Sequence, residues 1–240
     1  MPLTCHVDRT ARWPTVRVEG QLDVSNAVTL RTTVLKCLAD EPAAVVLDLR
    51  DLTCPDNAPL TTLTALARAA AAWPGIPLVA HSAGPDLVER LRATSVIWSV
   101  AVLPDAAAAA AHLSNTRGPA SVRVDLSSGE DLAHVRATAR QVCEEIGRPA
   151  AADTVEVVVT ELATNALCHG AGSRTVIISA SRYHLHIAVR DESVEVPHVR
   201  TAGDDEHGRG LRIVEALSSA WGSTPTRDGK VVWATVRPRR

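Results

Sequence analysis

The first half of the chain alternates short apolar segments with stretches of helical periodicity, and this alternation is the strongest constraint on its fold. The segment AVVLDL at residues 44–49 is almost continuously apolar, as expected of a strand that is buried on both faces of a sheet. Helical periodicity at residues 25–39 begins with Ser25, which we predict to be the N-cap. The other predicted strands of this half lie at residues 16–22, 76–81 and 100–103. The other predicted helices lie at residues 60–73, from Asp86 onward and at residues 105–113. Repeated strand–helix units predict an α/β fold with a mixed sheet and helices packed against it.

A polar segment, SNTRGPA at residues 114–120, separates this half from a region with a different pattern. It contains Gly118 and Pro119, so we predict a linker there, with one domain at residues 1–113 and another at 121–240. The elements predicted after the linker are a strand, two helices and three strands, at residues 121–126, 130–146, 151–169, 174–180, 185–191 and 229–236. Two helices followed by a run of strands predict an α+β layer.

The overall composition indicates a soluble globular protein. The chain has 240 residues, of which 46% are hydrophobic, and a formal net charge of −2, so nothing favours binding to nucleic acid or to a membrane. No apolar run has the length of a membrane span and the N-terminal residues lack the apolar region of a signal peptide, so we expect a cytoplasmic protein. The five cysteines are far apart and form no CxxC pair, so we predict neither a disulfide framework nor a zinc site.

The segment TELATNALCHG at residues 160–170 places three polar side chains in an apolar helical pattern. Glu161, Asn165 and His169 are spaced by four residues, which brings them along one face of a helix. Polar groups near a buried face need hydrogen-bond partners. Those partners belong either to the protein itself or to a ligand, and the spacing alone leaves both alternatives open.

The first half contains GQLDVSNAVTLR, then VVLDLRDLT, and then a predicted helix that follows Asp56. In this order the segments resemble the STAS domain of anti-sigma factor antagonists, and the resemblance covers residues 10–113. In that family the corresponding loop reads D-[ST]-[ST]-G-L and carries the hydroxyl that a kinase phosphorylates. Here the loop reads DNAPL: Asp56 and Leu60 match, and residues 57–59 replace the hydroxyls and the glycine. We therefore expect the fold of the family without its phosphorylation site.

The second half carries three motifs in the order TELATNALCHG, VRDES and EHGRGLRIVEALSSAWG. Together they resemble the GHKL ATPase fold, and most closely the anti-sigma factor serine kinases of actinobacterial type, over residues 120–237. The resemblance implies an α+β GHKL (HATPase-like) sandwich that binds ATP and Mg²⁺. The segment after Asp191 reads Glu192-Ser193-Val194-Glu195, whereas the family has D-x-G-x-G there.

Elementary chemistry and the resemblance assign the same roles to two residues of the first motif. The amide oxygen of Asn165 can ligate magnesium, which prefers oxygen ligands and keeps water and phosphate in its shell. The carboxylate of Glu161 can accept the proton of an attacking hydroxyl, because phosphoryl transfer mainly requires positioning and charge neutralisation. An ordinary structural role, in which both side chains pair with neighbouring chain, is the alternative for each.

The resemblance assigns further contacts with the nucleotide. His169 would lie near the phosphates, and Asp191 would accept a hydrogen bond from the adenine amino group. The glycines of the GRG turn would let backbone N–H groups approach the phosphates at the start of a helix, and the arginine between them would add a charged contact. The residues expected at the phosphates from this turn are Gly208, Arg209, Gly210 and Leu211. The structural alternatives are a strand-end turn for Asp191, a tight turn for GRG and a helix-end histidine for His169.

From these expectations we predict a regulator of a sigma-factor partner switch. The second domain would be an ATP-dependent serine/threonine kinase acting on a STAS-type antagonist, and the resemblance also implies a sigma factor as a partner and a possible homodimer. The alternative is a catalytically degenerate binding module that sequesters a partner, with the STAS-like domain as a docking or pseudosubstrate platform. A histidine kinase is disfavoured, because no helical hairpin with a phosphoacceptor histidine precedes residue 120.

Overall fold

The structure, a computed structural model, describes residues 2–116, 120–129, 131–181, 184–195 and 210–238. The chain divides into two compact units, Met1–Gly118 and Pro119–Arg240. Within the described residues, no helix combines the length and the apolar character that crossing a membrane requires.

The first unit is built around a five-stranded mixed sheet. Its strands are β1 (Thr4–Asp8), β2 (Thr15–Gln21), β3 (Val45–Thr53), β4 (Leu78–His81) and β5 (Ala101–Leu103). Its helices are α1 (Ala27–Ala39), α2 (Thr61–Ala72), α3 (Pro85–Ala93) and α4 (Ala106–Asn115). The strand order is β1-β2-β3-β4-β5, with β1 antiparallel to β2 and the other neighbours parallel. The predicted mixed sheet with helices is confirmed.

Strand β3 shows why residues 44–49 are continuously apolar. Val45, Leu47 and Leu49 lie in the main core together with buried side chains of α1, α2 and α3. Val46 lies in a second cluster, which contains Ala109 of α4. Both faces of the strand are therefore covered, as its sequence predicts.

The start of α1 differs from the prediction. The helix begins at Ala27 after Asn26, and Ser25 is not its N-cap. The carboxylate of Asp23 instead accepts hydrogen bonds from the backbone N–H groups of Ser25 and Asn26, at 2.8 and 3.0 Å, and from the Ser25 hydroxyl. An aspartate turn thus precedes the helix and occupies the hydroxyl that the prediction assigned to capping.

The second unit is an antiparallel sheet covered by helices. Its strands are β6 (Ala120–Asp125), β7 (Thr175–Ala180), β8 (Leu185–Asp191), β9 (Ala220–Pro225) and β10 (Lys230–Val236). Its helices are α5 (Asp131–Glu145), α6 (Ala152–His169) and α7 (Gly210–Leu217). The strand order is β6-β7-β8-β10-β9, and every neighbouring pair is antiparallel. The predicted α+β arrangement is confirmed.

The core of the second unit lies between the three helices and one face of this sheet. Val135 of α5, Leu162 of α6 and Val214 of α7 are almost completely buried in the same cluster as Ile178 and Ile187 of the sheet. On the surface, Arg140 of α5 forms ion pairs that link it to Asp153 and Glu156 of α6. Helix α6 is thereby held between α5 and α7, and this position fixes the face on which its polar residues lie.

Candidate functional site

Helix α6 carries the three polar residues of the TELATNALCHG segment. Glu161 and Asn165 are half-buried on one face, and His169 is exposed in the last turn. The neighbouring side chains Leu162 and Ala166 are buried in the core. The segment is therefore an amphipathic helix whose apolar face packs on the sheet and whose polar face remains accessible.

The two half-buried polar side chains of α6, Glu161 and Asn165, have no polar partner among the described residues. Within the described part of the chain, no hydrogen bond or ion pair reaches the carboxylate of Glu161 or the amide of Asn165. Polar groups near a buried face usually have partners. A carboxylate and an amide that remain available one turn apart are suited to a ligand with hydroxyl, cation and phosphate groups.

The start of α7 lies against Glu161. A Cβ atom placed on Gly210 would come within 2.5 Å of Oε2 of Glu161, so a larger residue there would require the carboxylate to move. The side chain of the next residue, Leu211, is buried in the core, so this predicted site residue can offer a ligand only its backbone. The free N–H groups of a helix N-terminus favour negative charge there. Two predicted site residues, Gly208 and Arg209, lie outside the described residues.

Arg174 organises the other end of α6, and its role was not predicted. Its Nε donates to the carbonyl of Ala166 at 2.8 Å, and its two terminal nitrogens donate to the carbonyls of Gly170 and Gly172 at 3.1 and 3.2 Å. The guanidinium thus adds a second donor to the carbonyl of Ala166, which also accepts from the backbone N–H of Gly170 at 2.8 Å, and it bonds two carbonyls just beyond the helix. Its charge is favourable at that end.

The residues that follow α6 pack directly on the end of β8. A Cβ atom on Gly170 would lie 3.2 Å from Cβ of Asp191, and the backbone N–H of Glu192 donates to the carbonyl of Ala171 at 2.9 Å. The carboxylate of Glu192 lies against Gly172, which has a φ of +62°. Asp191 is therefore held at the C-terminal end of the same helix that carries Glu161.

The two ends of the site are separated along α6. Gly170 follows Glu161 by nine positions, which corresponds to about 14 Å at 1.5 Å per residue. The structure brings Glu161 and Gly210 together at one end and places Asp191 at the other, with Asn165 one turn along α6 from Glu161. His169 is on the exposed last turn, on the side of Asp191.

Asp191 has a partner that sequence reasoning missed. Nζ of Lys230 donates to Oδ1 of Asp191 at 3.0 Å, and the backbone N–H of Ser193 donates to the same oxygen at 2.7 Å. Lys230 is the first residue of β10 and lies directly opposite Asp191 on β8. The side chains are 7% and 1% exposed, so the pair is buried. The only indication in the sequence is that Lys230 is one of two lysines in a chain with 23 arginines.

The loop DNAPL of the first unit is exposed at the position where the STAS domains that its sequence resembles carry a phosphorylated hydroxyl. Asp56, Asn57 and Ala58 are exposed, whereas Pro59 and Leu60 are buried. The hydroxyl of Thr61 donates to the carbonyl of Ala58 at 2.7 Å. The loop borders an open cleft of about 1030 Å³ whose polar and charged lining includes Arg50, Asn57, Asp86, Glu89 and Arg90.

Comparison with known families identifies the second half of the chain. Residues 126–236 match the family model described as a histidine kinase-like ATPase domain. The match confirms the ATPase fold that the three motifs indicated, and a domain of this kind implies nucleotide binding. No curated protein sequence matches the chain.

Solved structures of anti-sigma factor antagonists match the first half of the chain. One, from Mycobacterium paratuberculosis, is 23% identical with a TM-score of 0.41, and the match covers 47% of this chain and 95% of that chain. The anti-sigma factor antagonist SpoIIAA in its unphosphorylated form is 11% identical with a TM-score of 0.39, with 48% of this chain and 99% of that chain covered. The Bacillus cell fate determinant SpoIIAA in the phosphorylated form gives 11% identity and a TM-score of 0.35, with 46% and 99% covered.

Proposed function

We propose that this chain, in which a STAS-like unit precedes a histidine kinase-like ATPase domain, is a regulator of a sigma-factor partner switch. The second unit binds ATP with magnesium and phosphorylates a serine or threonine of a separate STAS-type antagonist, and it also holds a sigma factor. The observation that carries this proposal is the pair Glu161 and Asn165, which lie on one face of α6 without partners among the described residues, beside the start of α7. The location that we propose is the cytoplasm, where such a switch operates.

The residues present fit a magnesium nucleotide. Asn165 offers an amide oxygen of the type that magnesium takes as a ligand, and one protein ligand suffices when phosphates and water complete the shell. The start of α7 offers backbone N–H groups to phosphate, and Gly210 permits a close approach. When bound, ATP supplies the transferable phosphoryl group and magnesium neutralises its charge. Asp191 supplies the carboxylate that selects the base at the far end of α6.

Glu161 is the residue that we assign to the hydroxyl of the substrate. Its carboxylate is half-buried and has no hydrogen-bond partner among the described residues, so it is available to accept a proton. It lies one turn from Asn165, the residue that would hold the metal. A carboxylate in this position orients the hydroxyl and removes its proton as the phosphoryl group is transferred.

Two measurements on the full-length chain test the proposal. Calorimetric titration with ATP, with and without magnesium, should show magnesium-dependent binding. Incubation with γ-labelled ATP and with partner proteins captured from the native cytoplasm should then move label to an antagonist. No heat at millimolar ATP would contradict nucleotide binding, and binding without any transferred label would contradict the kinase activity alone.

A second candidate function is a binding module without turnover. Two features favour it: Asp191 already forms an ion pair with Lys230, and the segment Glu192–Glu195 lacks the glycines that the family has there. In this case the second unit sequesters a partner whether or not nucleotide is present. Partner binding that is unchanged by ATP in a chain that gives no heat on titration would favour this function over the kinase.

For the STAS-like unit we propose a docking or pseudosubstrate role, within one chain or between two chains of a homodimer. Its loop is exposed like a substrate loop but has no hydroxyl at residues 56–60. A tether of a few residues raises the effective concentration of such a fold to the order of millimolar, so even a weak contact is occupied. A chain that begins at Pro119 should therefore transfer phosphate faster than the full-length chain. Equal rates, with no binding between the separated units, would leave the first unit without this role.

A further inference from the structure

The buried pair of Asp191 and Lys230 does not use all of its hydrogen-bonding groups within the described residues: Oδ2 of Asp191 and at least one proton of the Lys230 ammonium remain. Oδ1 of Asp191 accepts two hydrogen bonds, from Nζ of Lys230 at 3.0 Å and from the backbone N–H of Ser193 at 2.7 Å. No described residue donates to Oδ2 of Asp191. The ammonium of Lys230 makes one further contact, a long one of 3.5 Å to the carbonyl of Ser193. Because an ammonium has three protons, at least one of them remains for a ligand.

Oδ2 of Asp191 is a hydrogen-bond acceptor, and the ammonium of Lys230 beside it is a donor. Adenine presents the complementary pair on one edge, namely the hydrogens of its exocyclic amino group and the lone pair of the neighbouring ring nitrogen N1. Guanine presents the reverse order on this edge, with an acceptor at O6 beside an N–H donor at N1. With Oδ2 facing the group on C6 and the ammonium facing N1, adenine is complementary, whereas guanine would place an acceptor against Oδ2 and a donor against the ammonium.

We propose that Lys230 is a second base-reading residue of the nucleotide site, an inference that rests on the proposed function. Its ammonium donates to N1 of adenine while Oδ2 of Asp191 accepts from the exocyclic amino group. Both contacts form where water is nearly excluded, since the side chains are 7% and 1% exposed. Hydrogen bonds are stronger at such low polarity, and a base that lacks one of the partners leaves a buried charged group unsatisfied.

The cation opposite Asp191 is a lysine, and an arginine there would bind the carboxylate differently. The chain uses arginine at 23 of its 25 basic positions, and Lys230 is one of the two exceptions. An arginine opposite Asp191 would bind both carboxylate oxygens through its planar fork. The ammonium of lysine is a compact donor that can engage Oδ1 alone and leave Oδ2 for the base.

The test uses the full-length chain and three ligands: ATP, 1-deaza-ATP, which lacks the N1 acceptor, and 7-deaza-ATP, which lacks the acceptor on the other side of the amino group. Wild type should bind 1-deaza-ATP about 10- to 100-fold more weakly than ATP, the effect of one charged hydrogen bond, and 7-deaza-ATP about as well as ATP. Lys230→Met should weaken ATP binding and should bind ATP and 1-deaza-ATP equally. Lys230→Arg should also lose adenine selectivity, because its fork occupies Oδ2.

The outcomes separate this inference from the proposed function. If wild type binds no adenine nucleotide, the proposed function and this inference both fail. If wild type binds ATP and 1-deaza-ATP equally, or if Lys230→Met still discriminates between them, only this inference fails and the ion pair has a structural role alone. The wild-type comparison requires no variant, so equal binding of the two ligands overturns this inference even if Lys230→Met, which leaves Asp191 buried without a cation, does not fold. In that case Lys230→Arg, which keeps the cation, supplies the test of the residue itself.

Discussion

The carboxylate of Glu161 on α6 lies against the backbone of Gly210, the first residue of α7, so closely that a Cβ atom at position 210 would be 2.5 Å from Oε2. This contact joins the residue that we assign to the substrate hydroxyl with the helix start that we assign to phosphate. We therefore expect the two positions to be coupled in function.

The first prediction tests this coupling with Gly210→Ala. The new methyl group meets the end of a long side chain, which can rotate, so we expect a stability change of no more than about 1 kcal/mol but a large loss of phosphate transfer. Thermal unfolding and a labelled-phosphate assay measure the two effects. Gly129→Ala is the matched control, since a Cβ atom there has no neighbour within 4 Å. A variant Gly210→Ala with wild-type transfer would show that the contact has no functional consequence.

The second prediction separates the roles of the two polar residues of α6. Glu161→Gln should retain magnesium-dependent ATP binding and lose about 10²- to 10⁴-fold in phosphate transfer, because the amide cannot accept the proton. Glu215→Gln, at an exposed position of α7, is its control and should be unaffected. Calorimetry combined with the transfer assay measures both quantities. If Glu161→Gln transfers phosphate normally, the catalytic assignment is wrong.

The third prediction concerns the neighbouring amide. Asn165→Ala removes the oxygen that we assign to magnesium, so titrations with and without the metal should converge in this variant. The fold should be retained, because the side chain is half-buried and makes no hydrogen bond within the described part of the chain. A variant that still binds ATP more tightly with magnesium than without it would contradict the assignment.

The fourth prediction concerns the end of α6. Arg174→Met removes the side-chain donor from the carbonyls of Gly170 and Gly172 and leaves the carbonyl of Ala166 with the Gly170 N–H alone. We expect a loss of about 1–3 kcal/mol in the free energy of unfolding, measured with denaturant. Arg136→Met is a suitable control, since this arginine is exposed on α5. Equal losses in the two variants would indicate that the carbonyl contacts contribute nothing.

The fifth prediction uses the exposed loop of the first unit. Incubation with ATP and a related kinase should leave no phosphate between Cys54 and Leu60, because that segment contains no hydroxyl. Ala58→Ser places a hydroxyl at an exposed position of the loop and should create a phosphorylation site there. Mass spectrometry locates the phosphate. Phosphate on Thr61 or Thr62 of the wild-type chain would show that the acceptor has moved into α2.

The elements that the sequence predicts well are those whose pattern is determined locally. Helix α6 has apolar residues at helical spacing over 18 residues, and β3 is apolar on both faces because both faces are covered. Strands β1 and β9 were not predicted. Both lie at sheet edges, where side chains are at most partly buried and the alternation of apolar and polar residues is weak.

The candidate site is predictable to the extent that it lies on α6. The spacing of Glu161 and Asn165 follows from the helical period, and the structure places both on the accessible face as expected. The pairing of Asp191 with Lys230 was not predictable, because the two residues are 39 positions apart and meet only through the register of β8 and β10. The contacts of Arg174 likewise depend on how the chain turns after α6, which no local pattern specifies.

The strand order of the second unit has a consequence for its synthesis. In the first unit each strand pairs with the one made just before it, so the sheet can grow as the chain emerges from the ribosome. In the second unit β10 inserts between β8 and β9, so one edge of β8 stays unpaired until residues 230–236 have been made. At about 5–20 residues per second, the 39 residues from Asp191 to Lys230 take about 2–8 s. During that interval the apolar edge of β8 is open to other nascent chains, so we expect the yield of this unit, and not of the first, to depend on chaperones and on growth temperature.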